Sequence, residues 1–401
     1  MGKAVIKLAY FVTHPIQYQA PLLRLIAQEP DIDLKVFFFS DISVKEFSDK
    51  GFCEKIEWDV PLLEGYKHEF LPSLGPRNRL SFWFPLIYGL TDRLKRGSFD
   101  TVWFHGYGHF SHLLAVLAVK RLGGRVLMRG ESSATSAPRS KFKNFIKEIL
   151  LTRFFRQYDG FLCIGSMNRE YYRGYGVPEE KLFFMPYAVD NEYFQRKVGE
   201  AVGRREAFRE SLGLVPGRPV ILYVSKFMAR KHPMDLLEAY ISLSPDGLRE
   251  PDPYLLFVGN GEERNRLEKR AKATGWNSIR FMGFRNQSEL PAFYDMCDLF
   301  VLPSTHEPWG LVINEVMNAA KPVIVTDQVG CGPDLVENGE NGYVVPVRDI
   351  VGLSQAIASV LGNPERARKM GEKSLEIIKK WSFREDIRGI RTALGLEADA
   401  E

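Results

Sequence analysis

Glu307 and Glu315 bracket the densest chemical signal in the chain, the run Pro303-Ser-Thr-His-Glu-Pro-Trp-Gly-Leu-Val-Ile-Asn-Glu315. An apolar segment, Leu299–Leu302, precedes it, and from Trp309-Gly310 onward apolar residues recur with helical spacing. A buried strand, a polar loop and a helix then follow in order. Glu307 falls in the loop and Glu315 about one and a half turns into the helix, on the face shared with Leu311, Val312 and Asn318. Ionised carboxylates only accept hydrogen bonds, so one suits a sugar ring and the other a ribose diol. Gly310 lets the backbone come close to an anion, and N–H groups opening a helix attract phosphate. The plainer alternative is a Glu that merely complements the helix dipole. Positive charge comes from Ile221-Leu-Tyr-Val-Ser-Lys-Phe-Met-Ala-Arg-Lys-His-Pro233, which puts Lys226 and Lys231 in the turn after another apolar segment. There they could neutralise a diphosphate as its charge develops; a solvated basic loop is the other meaning of such a cluster.

Those loops need strands behind them. Short β-branched and aromatic runs alternate with longer amphipathic stretches along almost the whole chain, the rhythm of βα units and parallel sheets. The first half predicts strands at Val5–Val12, Leu34–Phe39, Thr101–Phe104, Arg125–Met128, Gly160–Ile164 and Leu182–Met185. The second half restarts the pattern at Val220–Val224, Tyr254–Val258, Ile279–Met282, Leu299–Leu302, Val323–Thr326 and Tyr343–Val345. An α/β chain with two doubly wound sheets follows. Residues 1–195 are expected to form one domain, 196–217 a charged linker before Pro216-Gly-Arg-Pro219, and 218–380 a second domain. A last helix over 381–401 has no sheet of its own domain left to cover and is expected to pack back on the first.

Composition narrows the classes. With 401 residues, 45% hydrophobic and 26% charged, disorder, collagen-like repeats and membrane bundles are poor fits. Lys and Arg number 54 against 50 Asp and Glu, a net +4 too mild to argue for nucleic acid. Cys53, Cys163, Cys297 and Cys331 lie far apart without a CxxC pair, which suggests neither a zinc cluster nor a disulfide framework but a reducing, cytosolic compartment. The opening residues, interrupted by Lys7 and ending in His14-Pro15, read as a strand rather than a signal peptide. No uncharged apolar run reaches the roughly 18 residues that span a bilayer. Arg139, Lys141, Lys143, Lys147, Arg153 and Arg156 surround a stripe of Phe142, Phe145, Ile146, Ile149 and Leu150. Such a helix could lie on anionic lipid or cover an ordinary α/β domain.

The Glu-x7-Glu pattern of Glu307 and Glu315 in this setting resembles the retaining glycosyltransferases of family 4, whose GT-B architecture has two Rossmann-like domains facing a central cleft. The resemblance covers most of the chain. Ser225-Lys226-Phe227…Lys231-His232 stands where the family has a basic pair, with Lys in place of Arg and both glycines lost. Phe257-Val-Gly-Asn-Gly-Glu-Glu, Met282-Gly-Phe, Asp298-Leu-Phe-Val-Leu-Pro-Ser and Glu337-Asn-Gly-Glu-Asn-Gly-Tyr match further strands and turns, and Tyr187-Ala-Val-Asp190 stands where Asn-Gly-Val-Asp is usual.

The resemblance implies transfer of a sugar, with retention, from a nucleoside diphosphate sugar, a UDP- or GDP-sugar above all. The acceptor would be a hydroxyl of a glycan or glycolipid in polysaccharide, lipopolysaccharide or glycolipid synthesis. Glu307 would contact the donor sugar, Glu315 the ribose, the backbone of Gly310, Leu311 and Val312 the phosphate, and Gly283, Phe284 and Arg285 the nucleobase edge. Lys226 and Lys231 would meet the leaving diphosphate. His105, ending a buried strand in Trp103-Phe-His-Gly, is a further catalytic candidate. Thr13-His14-Pro15-Ile16-Gln17 replaces the family's glycines, so His14 and Gln17 become cleft candidates. Met128-Arg-Gly-Glu131 replaces its usual histidine, which brings in Arg129 and Glu131 as acceptor candidates. No metal or other cofactor is expected, nor nucleic acid as a partner. The expected location is the cytoplasm, with peripheral contact at the inner face of an anionic membrane. A nucleotide-sugar epimerase of the same layout and a non-catalytic nucleotide-sugar-binding subunit stay open as alternatives.

Overall fold

Strands buried on both faces read as near-continuous apolar runs, and this chain has two sets of them. A computed structural model describes residues 5–75, 80–133, 141–244 and 252–396, except the side chains of 141–146. The first set lies among β1 Ile6–Val12, β2 Ile32–Phe38, β3 Phe47–Asp49, β4 Glu54–Ile56, β5 Lys67–Phe70, β6 Ser73–Leu74, β7 Leu86–Ile87, β8 Thr101–His105, β9 Arg125–Arg129, β10 Gly160–Cys163 and β11 Leu182–Phe184, of which β3 to β7 are short and only partly buried. The second contains β12 Val220–Val224, β13 Tyr254–Val258, β14 Ile279–Gly283, β15 Leu299–Leu302, β16 Val323–Thr326 and β17 Gly342–Val345. All twelve expected strands form, within a few residues of the expected bounds.

Seven strands make one parallel sheet in the order β11-β10-β9-β8-β1-β2-β5, and six make another in the order β14-β13-β12-β15-β16-β17. β1 pairs with β2 from Ile6–Ile32 to Val12–Phe38, and with β8 from Leu8–Thr101 to Phe11–Phe104. In each sheet the winding reverses beside the first strand, between β1 and β8 or between β12 and β15. Open α/β sheets bind ligands at the carboxyl ends of the strands at such a reversal. The sequence pattern missed β5, an edge strand whose residues Lys67-His-Glu-Phe70 are too polar to read as an apolar run. Its pairing leans on ion pairs instead, Lys35 Nζ to Glu69 at 2.8 Å and Lys67 Nζ to Asp33 at 2.6 Å.

The chain divides into two compact units. The first holds Met1–Phe47, Val60–Tyr187 and Phe383–Glu401; the second holds Ser48–Asp59 and Ala188–Ser382. Two expectations are corrected. Residues 196–217 are not a bare linker: the helices Asn191–Val202 and Arg205–Ser211 occupy most of that stretch. They are charged because little beyond Phe194 is buried, and Arg205 and Arg209 fasten the second to Asp295 and to the carbonyls of Val215 and Arg218. The residues 1–195 are also not one body, since 48–59 belong with the second unit, as do 188–195.

In the first unit Phe11 stacks on Phe37 at 4.8 Å and on Phe104 at 5.4 Å. The last helix, Phe383–Leu394, packs on this unit, where Arg391 reaches both oxygens of Asp31 at 2.8 and 3.0 Å. Gly389 is required there: a Cβ would stand 2.1 Å from the Phe184 carbonyl oxygen. In the second unit Phe257 stacks on Phe281 at 5.2 Å and meets Tyr223 at 5.5 Å.

His112 is a core group whose protonation is coupled to folding. His112 lies 4.8 Å from Phe39 and 6.0 Å from Phe104, with neither ring nitrogen hydrogen-bonded. Burial, then nearby His109 and His105, lower its pKa to about 3. The unfolded chain takes this proton near pH 6.5 and the native state only near 3, so stability drains away as pH falls between them. The unfolding free energy from urea titrations between pH 7 and 4 should fall less in His112→Leu than in the wild type, by up to about 1.4 kcal/mol per pH unit. An identical slope in both proteins would contradict this assignment.

Candidate functional site

In the second unit the site is built where β12 and β15 end. After Val224 the chain turns through Ser225 and Lys226, and buried Phe227 pins the turn by hydrogen-bonding the Asn260 carbonyl through its N–H at 2.8 Å. A single 3-10 turn, Ala229–Lys231, and His232 in the left-handed region lead into the helix Pro233–Ile241. This directs Lys231 inward, 9% exposed, where its Nζ donates to Glu307 Oε2. Arg230 Nη1 stands 3.5 Å from the same oxygen. Burial pushes the Lys231 ammonium below the usual lysine range, Glu307 pulls it back up, and Arg230 and Lys226 add to the lowering.

Glu307 is fixed from behind. Its N–H donates to Gln328 O at 3.2 Å, and its carbonyl accepts from Gly330 N at 2.9 Å. A Cβ on Gly330 would lie 1.9 Å from Pro308 O, so only glycine allows the two loops this approach. Gly310 takes φ +98° before the helix Leu311–Met317, whose first residues Leu311 and Val312 are partly exposed. Glu315 is 1% exposed and accepts from the Tyr294 hydroxyl. Its expected position one and a half turns in is correct, but its carboxylate has a buried protein partner.

Lys226 engages a residue that sequence reasoning missed. Its Nζ donates to both oxygens of Asp49, at 3.0 and 2.9 Å, and lies 4.8 Å from the centre of the Phe52 ring. Burial would raise the Asp49 carboxyl, but Lys226 and the N–H groups of Phe52 and Gly51 hold it below its usual value. No local motif marks a partner so distant along the chain. At the end of β14, Gly283 takes φ +72°. Phe284 packs against Phe52 at 4.9 Å and Trp58 at 6.3 Å, and Arg285 pairs with Glu289 at 3.0 Å.

The first unit repeats the device where β1 and β8 end. Gln19 Nε2 donates to the His105 ring at 3.0 Å, and Gln19 Oε1 accepts from Tyr10 OH at 2.6 Å. His105 Nε2 is 3.4 Å from Glu131 Oε1, which also accepts from Tyr187 OH at 2.6 Å. Burial would raise Glu131, and His105, Tyr187 and Arg129 together bring it below its usual value. His14 is lowered to about 4 by burial and then by His105 and His109; its Nδ1 lies 2.8 Å from Thr13 Oγ1. Gln17 is half-buried, with Oε1 unpartnered. Gln19 and Tyr187, neither of them among the expected site residues, are the neighbours that orient His105 and Glu131.

Arg129 is corrected. At 2% exposure it donates to Pro186 O at 2.7 Å and to Asp386 Oδ1 at 3.0 Å, which makes it a buried brace for the final helix and the segment after β11 rather than an acceptor contact.

Residues 204–376 match the family model described as glycosyl transferases group 1, and residues 54–193 match the model described as glycosyltransferase family 4. The chain belongs to the family 4 glycosyltransferases. Among its relatives, the alpha-D-kanosaminyltransferase of Streptomyces kanamyceticus is 29% identical over 55% of this chain and 56% of its own length. The lipopolysaccharide core biosynthesis glycosyltransferase LpsE of Rhizobium meliloti is 32% identical over 45% of this chain and 50% of its own. The chain thus spans about half the length of the curated relatives it matches. Among solved structures, Anabaena HepE in complex with UDP superposes with a TM-score of 0.73 at 16% identity, covering 97% of this chain and 100% of that one. The sucrose-phosphate synthase of Thermosynechococcus elongatus gives 0.71 at 17%, covering 97% and 98%. These likenesses show the fold, which is GT-B.

In this family member all four cysteines are free thiols, with only Cys53 exposed. Among the described residues no three His, Cys, Asp or Glu side chains are grouped to hold a metal ion, and no helix is long and apolar enough to cross a membrane. Arg139 and the side chains of Lys141, Phe142, Lys143, Phe145 and Ile146 lie outside the described residues. Of the rest of the expected stripe, Ile149 and Leu150 are 53% and 62% exposed, whereas Leu151, Phe154 and Phe155 face the core.

Gly330→Ala should cost about 2 kcal/mol in urea unfolding, because the clash is with backbone. Gly199→Ala, on the helix Asn191–Val202 with nothing within 4 Å of its Cβ, should be neutral or stabilising by about 0.5 kcal/mol. Equal effects would mean that the Glu307 loop is not held as described.

Proposed function

We propose that this protein transfers a glycosyl group, with retention, from a nucleoside diphosphate sugar to a hydroxyl of a glycan or glycolipid. The observation that carries the reading is the cluster of ion-paired cations at the β12/β15 reversal: Lys231 buried against Glu307, with Lys226, paired to Asp49, in the same turn. The diphosphate lies against Lys226, Lys231 and the backbone from Gly310 to Val312. Glu307 faces the sugar, Glu315 the ribose, and the segment from Gly283 to Arg285 the base. As the glycosidic bond breaks, the sugar becomes oxocarbenium-like and the diphosphate gains charge, which the buried ammonium stabilises more in the transition state than in the ground state. No metal takes part, since the lysines supply the positive charge. On the first unit, His105, held by Gln19 and Glu131, receives the acceptor together with His14 and Gln17.

The relatives support a sugar-transfer reaction, and the HepE complex makes UDP the first nucleotide to try. Four free thiols support a cytoplasmic location, and exposed Ile149 and Leu150 on a basic helix support contact with an anionic membrane carrying a glycolipid acceptor.

UDP-, GDP-, ADP- and dTDP-sugars should be screened for thermal protection, and the best donor tried with acceptors. Lys231→Ala should lose about a hundredfold or more in rate and only a few-fold in donor affinity; equal, small losses would contradict a catalytic role. Transfer should survive EDTA, whereas loss reversed by magnesium or manganese would overturn metal independence. Conversion of the donor alone into its epimer would favour the epimerase alternative.

A further inference from the structure

Residues 48–59 leave the first unit and form part of the second. The strap they make, with β3 and β4 as its two short strands, rests on the ends of three neighbouring strands. After β12, Asp49 binds Lys226 with both oxygens, Phe52 covers the ammonium, and Gly51 is so close that a Cβ would stand 2.5 Å from Lys226 Cδ. After β13, a Cβ on Gly261 would meet the Gly51 carbonyl oxygen at 2.9 Å. After β14, Phe284 packs on Phe52 and Trp58, Asn286 Nδ2 donates to Glu57 O at 2.7 Å, and Ser288 N donates to Asp59 Oδ2 at 3.1 Å. This is the rim along which a doubly wound sheet takes a nucleotide.

We propose that Asp49 is an internal rival of the donor for Lys226: a diphosphate exchanges the Lys226–Asp49 ion pair for a Lys226–phosphate contact and loosens the 48–59 strap. The inference rests on the reading above that Lys226 meets the diphosphate. An ammonium has three donors, and Asp49 occupies it with both oxygens from within a turn stiffened by the N–H groups of Gly51 and Phe52, at 2.7 and 3.0 Å from Oδ1. A diphosphate placed on the same nitrogen would bring its negative charge against the Asp49 carboxylate, so the two anions repel and one gives way. Lys231 differs, because Glu307 sits on a buried loop braced by Gln328 and Gly330, whereas the Lys226 side chain is 33% exposed. The strap thus tunes donor affinity and reports occupancy by its own mobility.

The test measures binding of UDP, GDP and inorganic pyrophosphate by calorimetry to the wild type, Asp49→Asn and Lys231→Ala. Asp49→Asn keeps the shape of the turn and removes the charge. It should bind the tightest of the three probes about threefold more tightly than the wild type, in keeping with the modest worth of a partly exposed ion pair. Hydrogen exchange across 48–56 of the wild-type protein, which needs no variant, should speed up when that probe is added. Unchanged or weaker binding by Asp49→Asn, or slower exchange in the strap, would overturn the proposal while leaving the donor reading intact if Lys231→Ala still weakens binding. Failure of the wild type to bind any of the three, or no effect of Lys231→Ala, would remove the donor reading and this inference with it.

Discussion

A lysine ammonium that is almost out of water needs a counter-charge, and Glu307 provides it for Lys231. Burial works to strip the proton from this nitrogen while the carboxylate works to keep it there. An interaction so balanced is sensitive to whatever anion comes next to it, which suits a group meant to respond to a leaving diphosphate. It also dictates local structure. Glu307 must be held rigidly, and the bridge between its loop and the segment around Val329, with a glycine where any side chain would collide, does that.

The fold supplies the same arrangement twice. In both sheets the winding reverses beside the first strand, and in both the chemistry-bearing side chains stand just beyond the strands flanking that reversal. Lys226, Lys231 and Glu307 follow β12 and β15; His14, Gln19 and His105 follow or end β1 and β8. The two sets differ in character. The second unit offers cations paired to carboxylates. The first offers a histidine between an amide and a glutamate, and beside it His14, which burial keeps uncharged near neutral pH.

How much of this was legible in the sequence follows from the range of each interaction. The twelve buried parallel strands were readable because burial on both faces forces apolar runs, and β5 was not, because its pairing uses Lys35, Lys67, Asp33 and Glu69. Lys231 and Glu307 could be nominated from loop position, since both follow strands that were evident. Their direct pairing, and the engagement of Lys226 by Asp49, join segments far apart in the chain and left no periodic trace. Arg129 was an acceptor candidate because it stands where the resemblance places a histidine; its partner Asp386 lies on the last helix, and that contact turns it into a brace. Helices at 191–202 and 205–211 passed for a linker because side chains such as Arg205 and Arg209, rather than an apolar stripe, anchor them.

The central claim is that the pyrophosphoryl group of a nucleotide settles on Lys231 beside Gly310. A crystal structure with a nucleoside diphosphate bound tests it most directly. Phosphate oxygens within hydrogen-bonding distance of Lys231 Nζ and of the Leu311 or Val312 N–H are the predicted result. A nucleotide ordered elsewhere, with the Lys231–Glu307 pair untouched by phosphate, would contradict it.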